Sequence, residues 1–179
     1  VAAAMMGVLL GTYLWFGASY RHTPQQPLAA AASYKTITNT TAQAMDVVLE
    51  DSSSVMLFPA SALRYEAAFP GGKRNIYLDG EAIFKVKQDA ARPFTVLSNG
   101  IATTVLGTMF KVLAADDGGN TKVYLYQGKV VVRSADTMQV KLQKDYYMAP
   151  GDVFSYNHSN GIAALMNGSR KANSKTIAK

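Results

Sequence analysis

The chain divides by its hydrophobic pattern before any motif is considered. Val1 to Tyr20 carries no charged residue and has no polar face. As a helix rising about 1.5 Å per residue it would span roughly 30 Å, the thickness of a bilayer's hydrocarbon core. Tyr13, Trp15, Phe16 and Tyr20 gather at its downstream end, where aromatic side chains favour a membrane interface. The pattern predicts a transmembrane helix over 1–20. A signal peptide cleaved at Gly17-Ala18-Ser19 is the rival reading, disfavoured because the apolar run exceeds the ~7–15 residue signal core. A buried globular helix is disfavoured by the missing polar face. Residues 21–44 hold Pro24, Pro27, an alanine run and then Ser and Thr, with no helical or strand period, and are expected to be a linker.

From residue 45 to 165 the pattern is that of an all-β domain. Short runs rich in Val, Ile, Tyr and Phe are broken by Gly, Asp, Asn and Pro. Strands are expected at Val55–Phe58, Asn75–Leu78, Ala82–Lys87, Phe94–Ser98, Ala102–Leu106, Met109–Ala114, Lys122–Tyr126, Lys129–Ser134, Val140–Leu142, Tyr146–Ala149 and Asp152–Tyr156. Ala82, Phe84 and Val86 share one face, and Ile83, Lys85 and Lys87 the other, so that second face meets solvent. A helical turn is conceivable between Ser61 and Phe69. An aromatic-bearing strand followed by an x-Gly step and a second strand recurs at Gly80, Gly128 and Gly151, too unevenly for a strict short-period solenoid. The expected architecture is short strands in a solenoid-like or twisted two-sheet arrangement, with the solenoid-like form favoured.

Composition removes most common chemistries. With no cysteine there is no disulfide scaffold, thiolate zinc site or cysteine nucleophile. Only His22 and His158 exist, so a multi-histidine metal centre is excluded. The net charge of +6 is not a nucleic-acid footprint. All 12 acids lie between Asp46 and Asp152, beside an equal number of Lys and Arg. The excess comes from Arg21, Lys35 and a basic end of Arg170, Lys171, Lys175 and Lys179, whereas a nucleic-acid binder needs a clustered basic face. Residues 166–179 are therefore expected to be a basic linker.

Several side chains invite chemistry, and each has a plainer reading. Asp79 and Glu81 could pair as glycosidase carboxylates, but Asp79 precedes Gly80, where a turn favours Asp. Asp116-Asp117-Gly118-Gly119-Asn120 offers calcium oxygens without EF-hand spacing and has the composition of an exposed loop. His158 follows the last clear strand in a turn-like stretch. The ten tyrosines mostly occupy strand positions, where packing explains them as well as sugar stacking. Arg92, ahead of Pro93 and Phe94, is a candidate ion-pair partner for Glu81. No catalytic, cofactor-binding or metal-ligating residue is predicted, and the partner-binding residues stay unassigned.

Read in order, the motifs from Leu49-Glu50-Asp51 and Tyr77-Leu78-Asp79-Gly80-Glu81-Ala82, through Arg92-Pro93-Phe94 and Val105-Leu106-Gly107-Thr108, to Pro150-Gly151 resemble the extracytoplasmic domain of FecR-type anti-sigma regulators. Leu49-Glu50-Asp51-Ser52-Ser53-Ser54-Val55-Met56-Leu57, with Ser61, Leu63 and Tyr65, is similar to the family's opening element. Leu78-Asp79-Gly80-Glu81-Ala82-Ile83-Phe84-Lys85-Val86, Arg92-Pro93-Phe94-Thr95-Val96 and Val105-Leu106-Gly107-Thr108-Met109-Phe110-Lys111-Val112 resemble the next three. Val123 to Val132 with Gly128, and Pro150-Gly151, resemble the last ones. Two positions depart: Ser52 stands where the family has glycine, and Phe58 where it has asparagine.

The resemblance implies a non-enzymatic, cofactor-free, single-pass inner-membrane anti-sigma factor with residues 21–179 in the periplasm. This placement runs against the mild cytoplasmic hint of Arg21. Its implied partners are the signalling domain of an outer-membrane TonB-dependent receptor, the inner membrane and an extracytoplasmic-function sigma factor, with no nucleic acid. The sigma factor would be bound by a cytoplasmic segment ahead of the span, and a C-terminal module would follow near Lys179. A membrane-anchored periplasmic carbohydrate-binding or structural β domain is the alternative.

Overall fold

Arg74–Lys85 forms the longest strand, β5, and its geometry organises the rest. Straight, its 12 residues would run about 40 Å. The return over 86–93 reaches only about 28 Å at full extension, yet it delivers Phe94 beside Arg74 in a parallel pairing. The strand must therefore bend, and it does so at Gly80, whose φ of +85° lies where side chains are strained. A Cβ there would meet the Ser61 hydroxyl at 2.4 Å and its backbone at 2.9 Å. Ser61 Oγ fills that space and accepts the Glu81 N–H at 2.8 Å.

The structure is a computed structural model that describes residues 33–114, 119–135 and 140–168, all within the unit Ser33–Lys179. The other strands are β1 (Tyr34–Asn39), β2 (Met45–Val48), β3 (Ser54–Leu57), β4 (Ser61–Glu66), β6 (Phe94–Ser98), β7 (Ile101–Val105), β8 (Met109–Ala114), β9 (Asn120–Gln127), β10 (Val130–Ser134), β11 (Tyr146–Met148), β12 (Val153–Asn157) and β13 (Ile162–Met166). The first half of β5 belongs to sheet A, ordered β1-β4-β5-β6-β7-β10-β11. The second half belongs to sheet B, ordered β2-β3-β5-β8-β9-β12-β13. All 13 strands thus form one continuous, barrel-like sheet folded over one core.

After β5 the chain lays down antiparallel pairs alternately: β6–β7 in sheet A, β8–β9 in B, β10–β11 in A and β12–β13 in B. The x-Gly steps are where it changes sheet, within β5 at Gly80, between β9 and β10 at Gly128, and between β11 and β12 at Gly151. The solenoid-like expectation survives only as this winding, because both sheets enclose a common core. Phe84 of sheet B stacks on Phe110 at 5.2 Å and meets Phe94 of sheet A edge-on at 6.0 Å. All three rings are fully buried, an arrangement aromatic pairs favour.

Several expectations change. Asn75–Leu78 and Ala82–Lys87 are one strand, since a bend at glycine does not interrupt pairing. Ser61–Glu66 is a strand, not a helical turn, because Ser61, Leu63 and Tyr65 alternate inward. A short 3-10 turn follows at Pro70–Gly72. Val140–Leu142 is not a strand. Val140 is buried against Gly100, and the Leu142 N–H bonds Ser134 Oγ at 2.7 Å. Tyr34–Asn39 is a strand inside the stretch read as linker, so the fold begins before residue 45. The predicted span over 1–20 lies outside the described residues, among which no helix is long and apolar enough to cross a membrane.

Candidate functional site

Strand alternation sends Leu63, Ile76, Val96, Val105 and Val132 into the core and turns their neighbours outward on sheet A. The register aligns Arg64, Tyr77, Leu97, Ala102 and Arg133 in one row across the strands, and Asn75, Thr95, Thr104, Val131 and Tyr147 in the next. Two grooves run over this face. One, of about 870 Å³, is lined among others by Lys73, Tyr77, Leu97 and Arg133. The other, of about 620 Å³, is lined by Leu106, Lys129, Val131 and Tyr147 among others. Pro93 and Thr104 line both, so the grooves are neighbours on one face. Tyr147 is 68% exposed and Leu106 47%, and among the described residues no acidic side chain lines either groove.

The wall bearing Gln88 and Pro93 is held from beneath by a buried arginine. Arg74, fully buried, directs Nη1 to Asp51 Oδ2 at 2.7 Å and to the Lys87 carbonyl at 3.0 Å. Its Nε bonds the Arg92 carbonyl at 2.8 Å, and its backbone N–H bonds the Pro93 carbonyl at 3.0 Å. The guanidinium also lies 5.3 Å from the Phe94 ring centroid. Burial pushes the Asp51 carboxyl upward, but hydrogen bonds from the Ser53 hydroxyl and amide and from Arg74 outweigh it and hold it below its ordinary value. Ser53 Oγ in turn accepts the Lys87 N–H at 3.0 Å. Gly107 completes the wall, since a Cβ there would lie 2.7 Å from the Gln88 backbone.

This network escaped sequence reasoning. Arg74 sits in a Gly-Gly-Lys-Arg stretch that reads as a solvated turn, and Asp51 is 23 positions away. The one available signal was the inward parity of Arg74 with Ile76 and Leu78. The glycine position occupied by Ser52 is explained directly. Ser52 adopts φ 66° and closes a turn through its N–H to the Leu49 carbonyl.

The residues singled out for chemistry fall apart in space. Glu81 is ion-paired with Lys111, not with Arg92, because β5 and β8 are neighbours in sheet B. Arg92 pairs locally with Asp89 at 2.8 Å. The Arg92 hydrogen bond is the main reason the Asp89 carboxyl lies below its ordinary value. Asp79 pairs opposite Ala62 in sheet A, whereas Glu81 already belongs to sheet B. Of the calcium candidate, 116–118 lie outside the described residues. Gly119 accepts the His158 N–H at 3.4 Å and Asn120 opens β9. His158 Nε2 lies 2.8 Å from Thr121 Oγ1, its ring sits edge-on to Tyr156, and burial lowers its pKa. Among the described residues no group of three or more His, Asp or Glu could hold a metal.

Comparison with known proteins gives a consistent result. The family model described as FecR protein matches residues 35–131, more than half of the chain. Among solved structures, the 2.50 Å crystal structure of a putative anti-sigma factor from Parabacteroides distasonis is 26% identical, with a TM-score of 0.68 over 75% of this chain and 60% of that one. A 1.65 Å structure bearing the same description gives 26% identity and 0.67, over 74% and 59%. The chain therefore spans about 60% of the length of the solved structures it matches. No curated protein matches it.

Proposed function

Because the chain belongs to the FecR protein family, a regulatory one, we propose that it is part of a single-pass inner-membrane anti-sigma factor. Its β domain, residues 33–168, stands in the periplasm and receives the state of an outer-membrane TonB-dependent receptor. An extracytoplasmic-function sigma factor is held or activated on the other side of the membrane. The observation carrying this reading is the family match over 35–131 together with the fold it shares with a putative anti-sigma factor. Two features support it. The uncharged run Val1–Tyr20 precedes the domain and is long enough to span a bilayer. A single helix forms no channel, so information passes by changed contacts, which requires differential binding to two states.

The test is a sigma-dependent transcriptional reporter in cells carrying the native gene with or without codons 33–168. Deletion is expected to abolish the response to receptor ligand, and an unchanged response overturns the reading. Alkaline phosphatase fused after Gly168 is expected to be active, as a periplasmic position requires.

A further inference from the structure

The grooves on the outer face of sheet A are uneven in charge in a way the domain as a whole is not. Between Asp46 and Asp152 acids and bases balance, yet among the described residues the grooves are lined by Lys73, Lys129 and Arg133 and by no carboxylate. Arg133 is held at 2.9 Å by Asp145, which lies outside both linings. Among the described residues no carboxylate pairs with Lys73 or Lys129. Between these cations the floor is apolar or hydroxyl-bearing: Leu97, Val131 and Tyr147, with Thr95 and Thr104 bonded to each other at 3.1 Å and the exposed Leu106 at the rim. The two grooves adjoin through Pro93 and Thr104, so together they suit an extended ligand better than a compact one.

We propose that this groove is the docking site for an extended, acidic polypeptide segment of a partner protein, its alternate side chains seated on the Leu97–Val131 floor and its carboxylates facing Lys73, Lys129 and Arg133. The proposal rests on the reading of the domain as a signal receiver and names the chemistry of what it receives. Charge complementarity selects an anionic partner and suppresses basic ones. An alternating, extended segment matches a surface whose outward residues themselves recur with period two. A glycan fits less well. Of the two groove tyrosines, Tyr77 already has the Arg64 guanidinium 4.5 Å from its centroid, which leaves Tyr147 alone to stack on a sugar.

Because the chain has no cysteine, a single Leu106→Cys substitution at the groove rim can carry an environment-sensitive dye. Lys122→Cys on the outside of sheet B serves as the control. The full chain, in detergent micelles, is titrated with a synthetic peptide alternating Glu and Val, with its Gln-for-Glu counterpart and with an oligogalacturonate. The acidic peptide is expected to give a saturable signal at position 106 and none at 122. Affinity should drop about tenfold or more for the Gln peptide and for a Lys73→Glu, Lys129→Glu variant, and should weaken with salt. Lys73→Gln with Lys129→Gln, a milder change, should lie between. Equal binding of both peptides, equal signals at both dyes, indifference to the charge variants, or binding of the glycan alone overturns the proposal. If the reporter loses induction on deletion of 33–168 while no acidic peptide binds, only the groove assignment falls. If the peptide binds and the reporter is unaffected, the docking chemistry stands and the signalling reading falls.

Discussion

The two outer faces of the sheet are built by the same strand alternation, and β5 contributes to both, yet they treat charge differently. On sheet B the row Met56, Ile83, Lys111, Tyr124 and Val153 centres on a lysine paired with Glu81. That ammonium also lies over the Phe58 ring at 5.1 Å and the Tyr124 ring at 5.8 Å. The Glu81 contact raises the Lys111 pKa. The charge at the centre of this face is neutralised by its neighbour Glu81. On sheet A the cations line grooves in which no described residue is acidic, one of them, Arg133, pairs outside the groove with Asp145, and a second charge pair, Arg74 with Asp51, is buried beneath the face. Inward positions of the two sheets are interchangeable in character, because both serve one apolar core. Outward positions answer to no common packing demand, so they are where a difference in role can be written.

The comparison can be broken most forcefully at its two ion pairs. Arg74→Ala leaves Asp51 charged and unpaired in the interior and should cost about 3–5 kcal/mol in urea unfolding. Lys111→Ala, at a pair on the surface of sheet B, should cost about 1 kcal/mol or less. Equal costs would remove the distinction between the faces. Gly80→Ala strikes the strand both sheets share. A side chain forced into positive φ against the Ser61 backbone should cost about 3 kcal/mol and loosen both faces together, read as uniform loss of amide protection.

Acid sharpens the contrast further. Asp51 has a folded pKa below its unfolded value, so the stability it contributes is fully present above about pH 4 and is lost as pH falls through the folded value. Urea midpoints from pH 7 to pH 3 should fall for the native chain and more gently for Asp51→Asn, whose starting stability is lower. Ser52→Gly relieves a left-handed turn and should stabilise by about 0.5–1 kcal/mol, net of the extra freedom glycine gives the unfolded chain. The smallest effect belongs to Tyr147→Ser. With its ring 68% exposed, unfolding should change by less than about 0.5 kcal/mol, while peptide binding at the groove weakens.

The β class and most strand positions were legible because period-two alternation is local: Phe94–Ser98, Met109–Ala114 and Val153–Asn157 can be read from a handful of consecutive residues. The ordered motifs were legible for the same reason, down to the turn that Ser52 now strains to make. β1, β2, β4 and β13 were missed, β4 because its alternation was read as a helical turn. β1 follows an alanine-rich, proline-containing stretch, β2 is four residues long, and β13 follows a turn of Asn, His, Ser and Gly. The pairing of Glu81 was misread because sequence proximity to Arg92 said nothing of β8, which the sheet places alongside.

The sequence by itself determined an all-β domain, its punctuation by glycine and its family, since each depends on residue type and near-neighbour spacing. Only the tertiary structure decided that Gly80 bends one strand into two sheets, that Arg74 reaches Asp51 across 23 positions, and that Lys73, Lys129 and Arg133 line neighbouring grooves on one face. Those depend on which strands lie side by side, and pairing between distant strands leaves no periodic trace along the chain.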